Sequence, residues 1–177
     1  MNVFILGTGR CGTTTFIQAC QHINNYTSSH ESRSCFTGEQ RLDYAVNHIE
    51  ADNRLSWFLG RLDEKYANEA FYVHLTRDLD DTVASFSKRE AFGIMKAYRE
   101  GLLLGGQENQ SAKDLSLDYI NTVNANINCF LKDKTNVMKF SLENARVDYE
   151  IFWNRIEAKG DLKAGLREWS VRYNRSS

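Results

Sequence analysis

Gly7-Thr8-Gly9-Arg10-Cys11-Gly12-Thr13-Thr14-Thr15 follows a short apolar run, Val3-Phe4-Ile5-Leu6, and precedes Phe16, Ile17, Cys20 and Ile23 at helical spacing. A buried strand, a glycine-rich turn and an amphipathic helix are therefore predicted in that order. Glycines let the chain turn tightly and bring successive N–H groups towards an anion at the helix N-terminus. Arg10 adds a full charge with forked geometry, and Thr13, Thr14 and Thr15 add hydroxyl donors. A connection that merely joined a strand to a helix would have no need of all these groups.

The same alternation continues downstream. Phe71 to Thr76 reads as a second buried strand, and Asp78 and Asp80 offer N-caps for a helix through Val83 and Phe86. Leu115 to Leu131 reads as a helix and Val137 to Phe140 as a third strand, with helix again to about Trp169. Leu42, Val46, Ile49, Leu55, Phe58, Leu59, Leu62 and Tyr66 suggest one or two amphipathic helices, while Asn24 to Arg33 is polar and turn-rich and Gly101 to Ser111 reads as a loop. Strands alternating with helices imply a parallel sheet covered on both faces, with the active edge at the strands' C-terminal ends. With no repeat or linker in its 177 residues, the chain is expected to form a single α/β domain over residues 1–177.

Composition narrows the partners. Twenty-two basic residues are balanced by 23 acidic ones, for a net charge of −1, so a general nucleic-acid surface is not expected and an anion site must be local. No apolar run approaches the roughly 20 residues of a membrane span, and Asn2 to Leu6, too short an apolar run before the glycines, is not expected to act as a secretory signal. Cys11, Cys20, Cys35 and Cys129 have neither CxxC pairing nor zinc-site spacing, and the four histidines are scattered. The expectation is a cytoplasmic protein with free thiols and no protein-built metal site.

Three ligand classes compete for the glycine loop. It fits the dinucleotide pattern G-x-G-x-x-G with Glu31 downstream, but the acidic residue should end an apolar strand and Asn24 to His30 is polar. Gly7 and Gly12 also have the separation of a nucleoside-triphosphate P-loop, though Thr13 stands where the phosphate-binding lysine belongs. A cysteine phosphatase would carry arginine at position 17, where Ile17 stands.

The third class is a P-loop without lysine or metal. Arg10-Cys11-Gly12-Thr13-Thr14 resembles the Arg/Lys-Ser-Gly-Thr-Thr loop of sulfotransferases that use 3′-phosphoadenosine 5′-phosphosulfate (PAPS), with Cys11 in place of serine. That resemblance implies a second strand ending in arginine and a serine eight residues later, both gripping the 3′-phosphate. Arg77 and Ser85 match, with Leu79 where the family usually has proline. Glu31-Ser32-Arg33 resembles the Glu-Thr-Arg segment of tyrosylprotein sulfotransferases, which supplies their base; Golgi-type and bacterial members share the other motifs.

The resemblance implies a three-layer P-loop NTPase-like fold with a central parallel sheet flanked by helices. It also implies PAPS as donor, its bisphosphate (PAP) as product, and a hydroxyl or amine acceptor. Gly9, Arg10, Cys11, Gly12, Thr13, Thr14, Thr15, Arg77 and Ser85 would bind the nucleotide; separately, the cations and ring of Arg172-Tyr173-Asn174-Arg175-Ser176 would let Arg175 close over the nucleotide or touch the acceptor, with an exposed basic tail as the plainer reading. Arg10 would serve the leaving oxygen and Glu31 would act as base, with His30 as its rival because an imidazole titrates near neutrality. A nucleoside-triphosphate-dependent kinase and a non-catalytic nucleotide-binding module remain the alternatives.

Overall fold

The computed structural model describes residues 1–171 and 173. Five strands form one parallel sheet: β1 (Val3–Leu6), β2 (Thr27–His30), β3 (His48–Ala51), β4 (Phe71–Thr76) and β5 (Val137–Ser141), in the spatial order β2-β3-β1-β4-β5. The helices are α1 (Thr13–Cys20), α2 (Leu59–Tyr66), α3 (Leu79–Ser87), α4 (Gly93–Ala97), α5 (Ala112–Leu131), α6 (Ala145–Arg155) and α7 (Leu162–Glu168).

Both faces of the sheet are covered, so the strands are apolar on both sides and sort their side chains by period two. Val3, Ile5, Phe71, Val73 and Leu75 face a core completed by Phe16, Phe140, Tyr149 and Phe152 of α1, β5 and α6. Phe4, Leu6 and Tyr72 face the other way, onto Leu62, Val83, Phe86, Tyr119, Ile120 and Val123. This is the expected α/β architecture of a central parallel sheet between helical layers. His74 falls on the second face, buried, where it pairs with Asn124 of α5 at 3.1 Å.

Two stretches differ from the sequence reading. The polar segment Asn24 to Arg33 contains β2, and the apolar positions between Leu42 and Tyr66 are divided among a short 3₁₀ turn, β3, a second 3₁₀ turn (Asn53–Trp57) and α2. Phe71–Thr76 and Val137–Ser141 are thus the fourth and fifth strands. β2 is an edge strand with half-exposed side chains, so it needs no apolar pattern. β3 is buried throughout, yet His48 and Glu50 alternate with Ile49 and Ala51, which disguises a central strand. Gly101 to Ser111 is largely irregular, entered from a π-helical turn at Tyr98–Leu102.

β1 is the central strand: the chain adds β2 and β3 on one side of it, then crosses to add β4 and β5 on the other. A crevice opens beyond the carboxyl ends of the strands where the winding reverses. The loop after β1 lies there.

Candidate functional site

The loop is anchored from below. A Cβ on Gly7 would approach the Leu75 carbonyl oxygen of β4 to 2.6 Å, so only glycine lets the loop descend onto the sheet. Tyr119 of α5 donates to the Thr8 carbonyl at 2.8 Å, and Ser56 donates to that of Gly7 at 3.2 Å. Arg10 and Gly12 both take left-handed backbone, at φ 59° and 101°, and α1 starts at Thr13 with no side chain capping it. Its first turn carries no acidic residue, so the positive end of the helix faces the crevice unopposed by its own side chains.

Cys11 turns inward. It is buried in the α1-side core with its Sγ beside Gly7, and burial pushes its thiol up to about 11. Of the residues expected to bind nucleotide, Cys11 can therefore offer only its backbone. A cysteine suits that apolar setting.

A cleft of about 750 Å³ opens on one side of the loop. Arg10, Gly12, Thr13, Thr14 and Thr15 form one wall, and Arg77, Asp81, Ser85 and Lys88 the other; Leu142, Glu143, Trp169 and Tyr173 close it. Arg10 and Ser85, 75 residues apart in sequence, meet here: Arg10 Nε donates to Ser85 Oγ at 2.9 Å. Arg77 Nη1 approaches the Arg10 carbonyl oxygen at 3.4 Å, and its Nη2 pairs with Asp81 at 2.8 Å. The Arg10 guanidinium is held below its ordinary value by burial, then by the neighbouring charges of Arg89 and Arg77. Positive charge is thus concentrated around the loop in a chain of net charge −1, with Asp81 and Glu143 on the cleft wall beside it. The Asp78 carboxylate is committed to capping α3, where it accepts from the Asp81 N–H at 2.9 Å.

A second pocket, about 260 Å³, adjoins the same loop and shares Arg10, Thr13 and Thr14 with the cleft. Gly9 borders this pocket and not the cleft. His30 and Glu31 reach it from the end of β2, Asn53 and Arg54 from the turn after β3, and Phe86, Arg89, Phe92, Ile94 and Met95 from α3, α4 and the turn between them. His30 Nε2 lies 3.0 Å from Thr13 Oγ1. Arg54 Nη1 lies 2.8 Å from Glu31 Oε2, an ion pair whose angle falls short of a hydrogen bond.

Glu31 is held by buried charge. Its backbone is left-handed at φ 52°, and the next residue is clamped by the fully buried Glu50, which accepts from Ser32 N at 2.7 Å and Ser32 Oγ at 2.6 Å. His48 Nε2 completes that carboxylate at 3.0 Å. Two residues on, Asp52 accepts from Arg54 N at 2.8 Å and from the buried Arg41 at 2.6 Å. Glu50 of β3 and Asp52 just beyond its end thus fix the backbone beside Glu31 and at Arg54. Arg33 points elsewhere, donating to the Gln40 carbonyl at 2.8 Å.

The fold thus brings Arg10, Thr13, Thr14, Thr15, Arg77 and Ser85 to one cleft and His30 and Glu31 to the adjoining pocket. Arg175 lies outside the described residues. Arg54, Glu50 and Asp52 carry no motif in the sequence; the alternation His48-Ile49-Glu50-Ala51-Asp52 is the signal for Glu50 and Asp52, and no local signal marks Arg54. Among the described residues no group of three or more His, Cys, Asp or Glu side chains is placed to hold a metal, and no helix is long and apolar enough to cross a membrane.

No family model and no curated protein sequence matches the chain. Among solved structures, the chain superposes on a sulfotransferase domain from the curacin biosynthetic pathway with a TM-score of 0.64, over 92% of this chain and 75% of that one. A sulfotransferase domain shares this fold. Sequence identity is 12%, so the relationship is one of architecture.

Proposed function

We propose that this protein is a single-domain, metal-independent sulfotransferase that moves a sulfonate group from PAPS to an acceptor hydroxyl. The observation that carries the reading is the Arg10–Ser85 contact at 2.9 Å, with Arg77 beside it. It joins two motifs, each unremarkable alone, across one polar cleft. The fold shared with a sulfotransferase domain supports the same reading.

In this reading the 5′-phosphosulfate lies over the backbone N–H groups at the start of α1, and the 3′-phosphate lies between Arg77 and Ser85. To engage a phosphate fully, Arg77 exchanges its partly exposed partner Asp81 for the dianion, a forked charge-assisted contact. The acceptor hydroxyl enters from the second pocket. Its proton passes to Glu31, its oxygen forms the new bond to sulfur, and the bond from sulfur to the phosphate oxygen breaks in line. PAP leaves with the negative charge that Arg10 and the helix N-terminus stabilise as it develops. Arg54 holds the Glu31 carboxylate at the pocket wall, and His30 orients Thr13 through their 3.0 Å contact.

The test is release of PAP from PAPS on addition of hydroxyl acceptors, followed with and without chelator. Acceptor-dependent release that chelator leaves unchanged is expected. Magnesium-dependent transfer or hydrolysis of an ATP γ-phosphate, with no PAP released from PAPS, would overturn the reading in favour of a kinase.

A further inference from the structure

The chemistry of the second pocket points to its occupant. Residues 86–95 contribute Phe86, Arg89, Phe92, Gly93, Ile94 and Met95 to one wall, whose accessible apolar surface comes mainly from Phe92 and Ile94. Phe86 and Met95 are buried in the core, but Phe92 stands 72% exposed at the rim, in extended backbone immediately before Gly93 at φ 54°. The facing wall, from the loop and the ends of β2 and β3, is polar and holds Glu31 and His30. The pocket therefore has a polar end at the proposed transfer point and an apolar end away from it.

Volume and charge sharpen this. About 260 Å³ is just below the roughly 300–1,000 Å³ of sites for drug-sized ligands. One ring or a short carbon chain fits. A sugar would bring hydroxyls, and a peptide would bring amide groups, against phenylalanine, isoleucine and methionine, where each buried polar group without a partner costs binding. Three guanidiniums, of Arg10, Arg54 and Arg89, face one carboxylate, Glu31, which disfavours a cationic amine.

We infer that the acceptor is a small, free hydroxyl compound with an apolar carbon body and no cationic group, such as a phenol, and that Phe92 is its specificity-determining contact. The inference rests on the sulfotransferase reading for the fate of the hydroxyl, but the pocket's selectivity can be measured without turnover.

Binding of phenol, glucose, tyramine and a short tyrosine-containing peptide is compared by ligand-observed NMR, with the full chain alone and with 3′,5′-adenosine bisphosphate. Phenol is expected to bind most tightly. Phe92→Asp should weaken phenol about tenfold, the scale of one aromatic contact, and leave bisphosphate affinity and melting temperature unchanged because the side chain is exposed. Tighter binding of glucose, tyramine or the peptide would overturn the inference, as would phenol binding that Phe92→Asp leaves intact. Phenol binding sensitive to Phe92 in a protein that does not bind the bisphosphate would support the pocket's chemistry and overturn the sulfotransferase reading instead.

Discussion

The large cleft and the small pocket meet at Arg10, Thr13 and Thr14, yet the rest of their walls differ in kind. The cleft is lined by cations, hydroxyls and a helix N-terminus, with the carboxylates of Asp81 and Glu143 among them, and most of its polar groups sit on or directly beside helices and strand ends. The pocket places its polar groups on left-handed backbone and a 3₁₀ turn, and relies on buried carboxylates to hold them. A polyanionic nucleotide requires many convergent donors. A proton transfer requires one carboxylate at the right place, and the expense of burying charge to fix it falls on β3. In the proposed reading, substitutions in one cavity should move one ligand and leave the other, except at the shared loop.

The largest break should come at Glu31. Glu31→Gln is expected to slow turnover by about 10²–10⁴ while bisphosphate affinity stays near that of the parent. A fully active Glu31→Gln alongside a dead His30→Ala would transfer the base to His30. Next is the support beneath it: Asp52→Ala leaves Arg41, 2% exposed, without its 2.6 Å partner. Loss of one member of a buried pair costs about 3–5 kcal/mol, and the melting temperature should fall by roughly 6–20 °C. A thermal scan that shows no change would mean that the pair is dispensable.

Arg10 belongs to both cavities, so Arg10→Ala should reduce turnover about a hundredfold, equivalent to roughly 3 kcal/mol of transition-state stabilisation. Steady-state kinetics should show the loss for every acceptor alike. The smallest effect is at Ser85. Ser85→Ala removes one hydrogen-bonding hydroxyl from the cleft, worth about 0.5–1.5 kcal/mol, and should weaken bisphosphate up to about tenfold in calorimetry with phenol binding unaltered.

The same contrast governs what could be read from the sequence. β1, its loop, β4 and α5 were legible because their apolar runs are continuous or helically spaced, whereas Arg77 and Ser85 stood out only through the family resemblance. β2 was not, since an exposed edge strand of Thr27, Ser28, Ser29 and His30 has no hydrophobic face to announce it. β3 was hidden by its charges: Glu50 and Asp52 are fully buried, where sequence patterning assigns such residues to the surface. Glu31 was found by resemblance. Arg54, its partner across 23 positions, could emerge only once β2 and β3 were paired in register.

The most direct measurement compares melting temperatures with 3′,5′-adenosine bisphosphate, with 5′-AMP and with Mg-ATP at equal concentration. Only the first carries the 3′-phosphate assigned to Arg77 and Ser85. At 100 times its Kd, a ligand bound only by the folded state adds about 2.7 kcal/mol. For a chain of this length that is a rise of roughly 5–11 °C. The account predicts this rise with the bisphosphate and a much smaller one with 5′-AMP, a difference that Arg77→Ala should largely erase. Equal rises with bisphosphate and monophosphate, or a larger one with Mg-ATP, would contradict it.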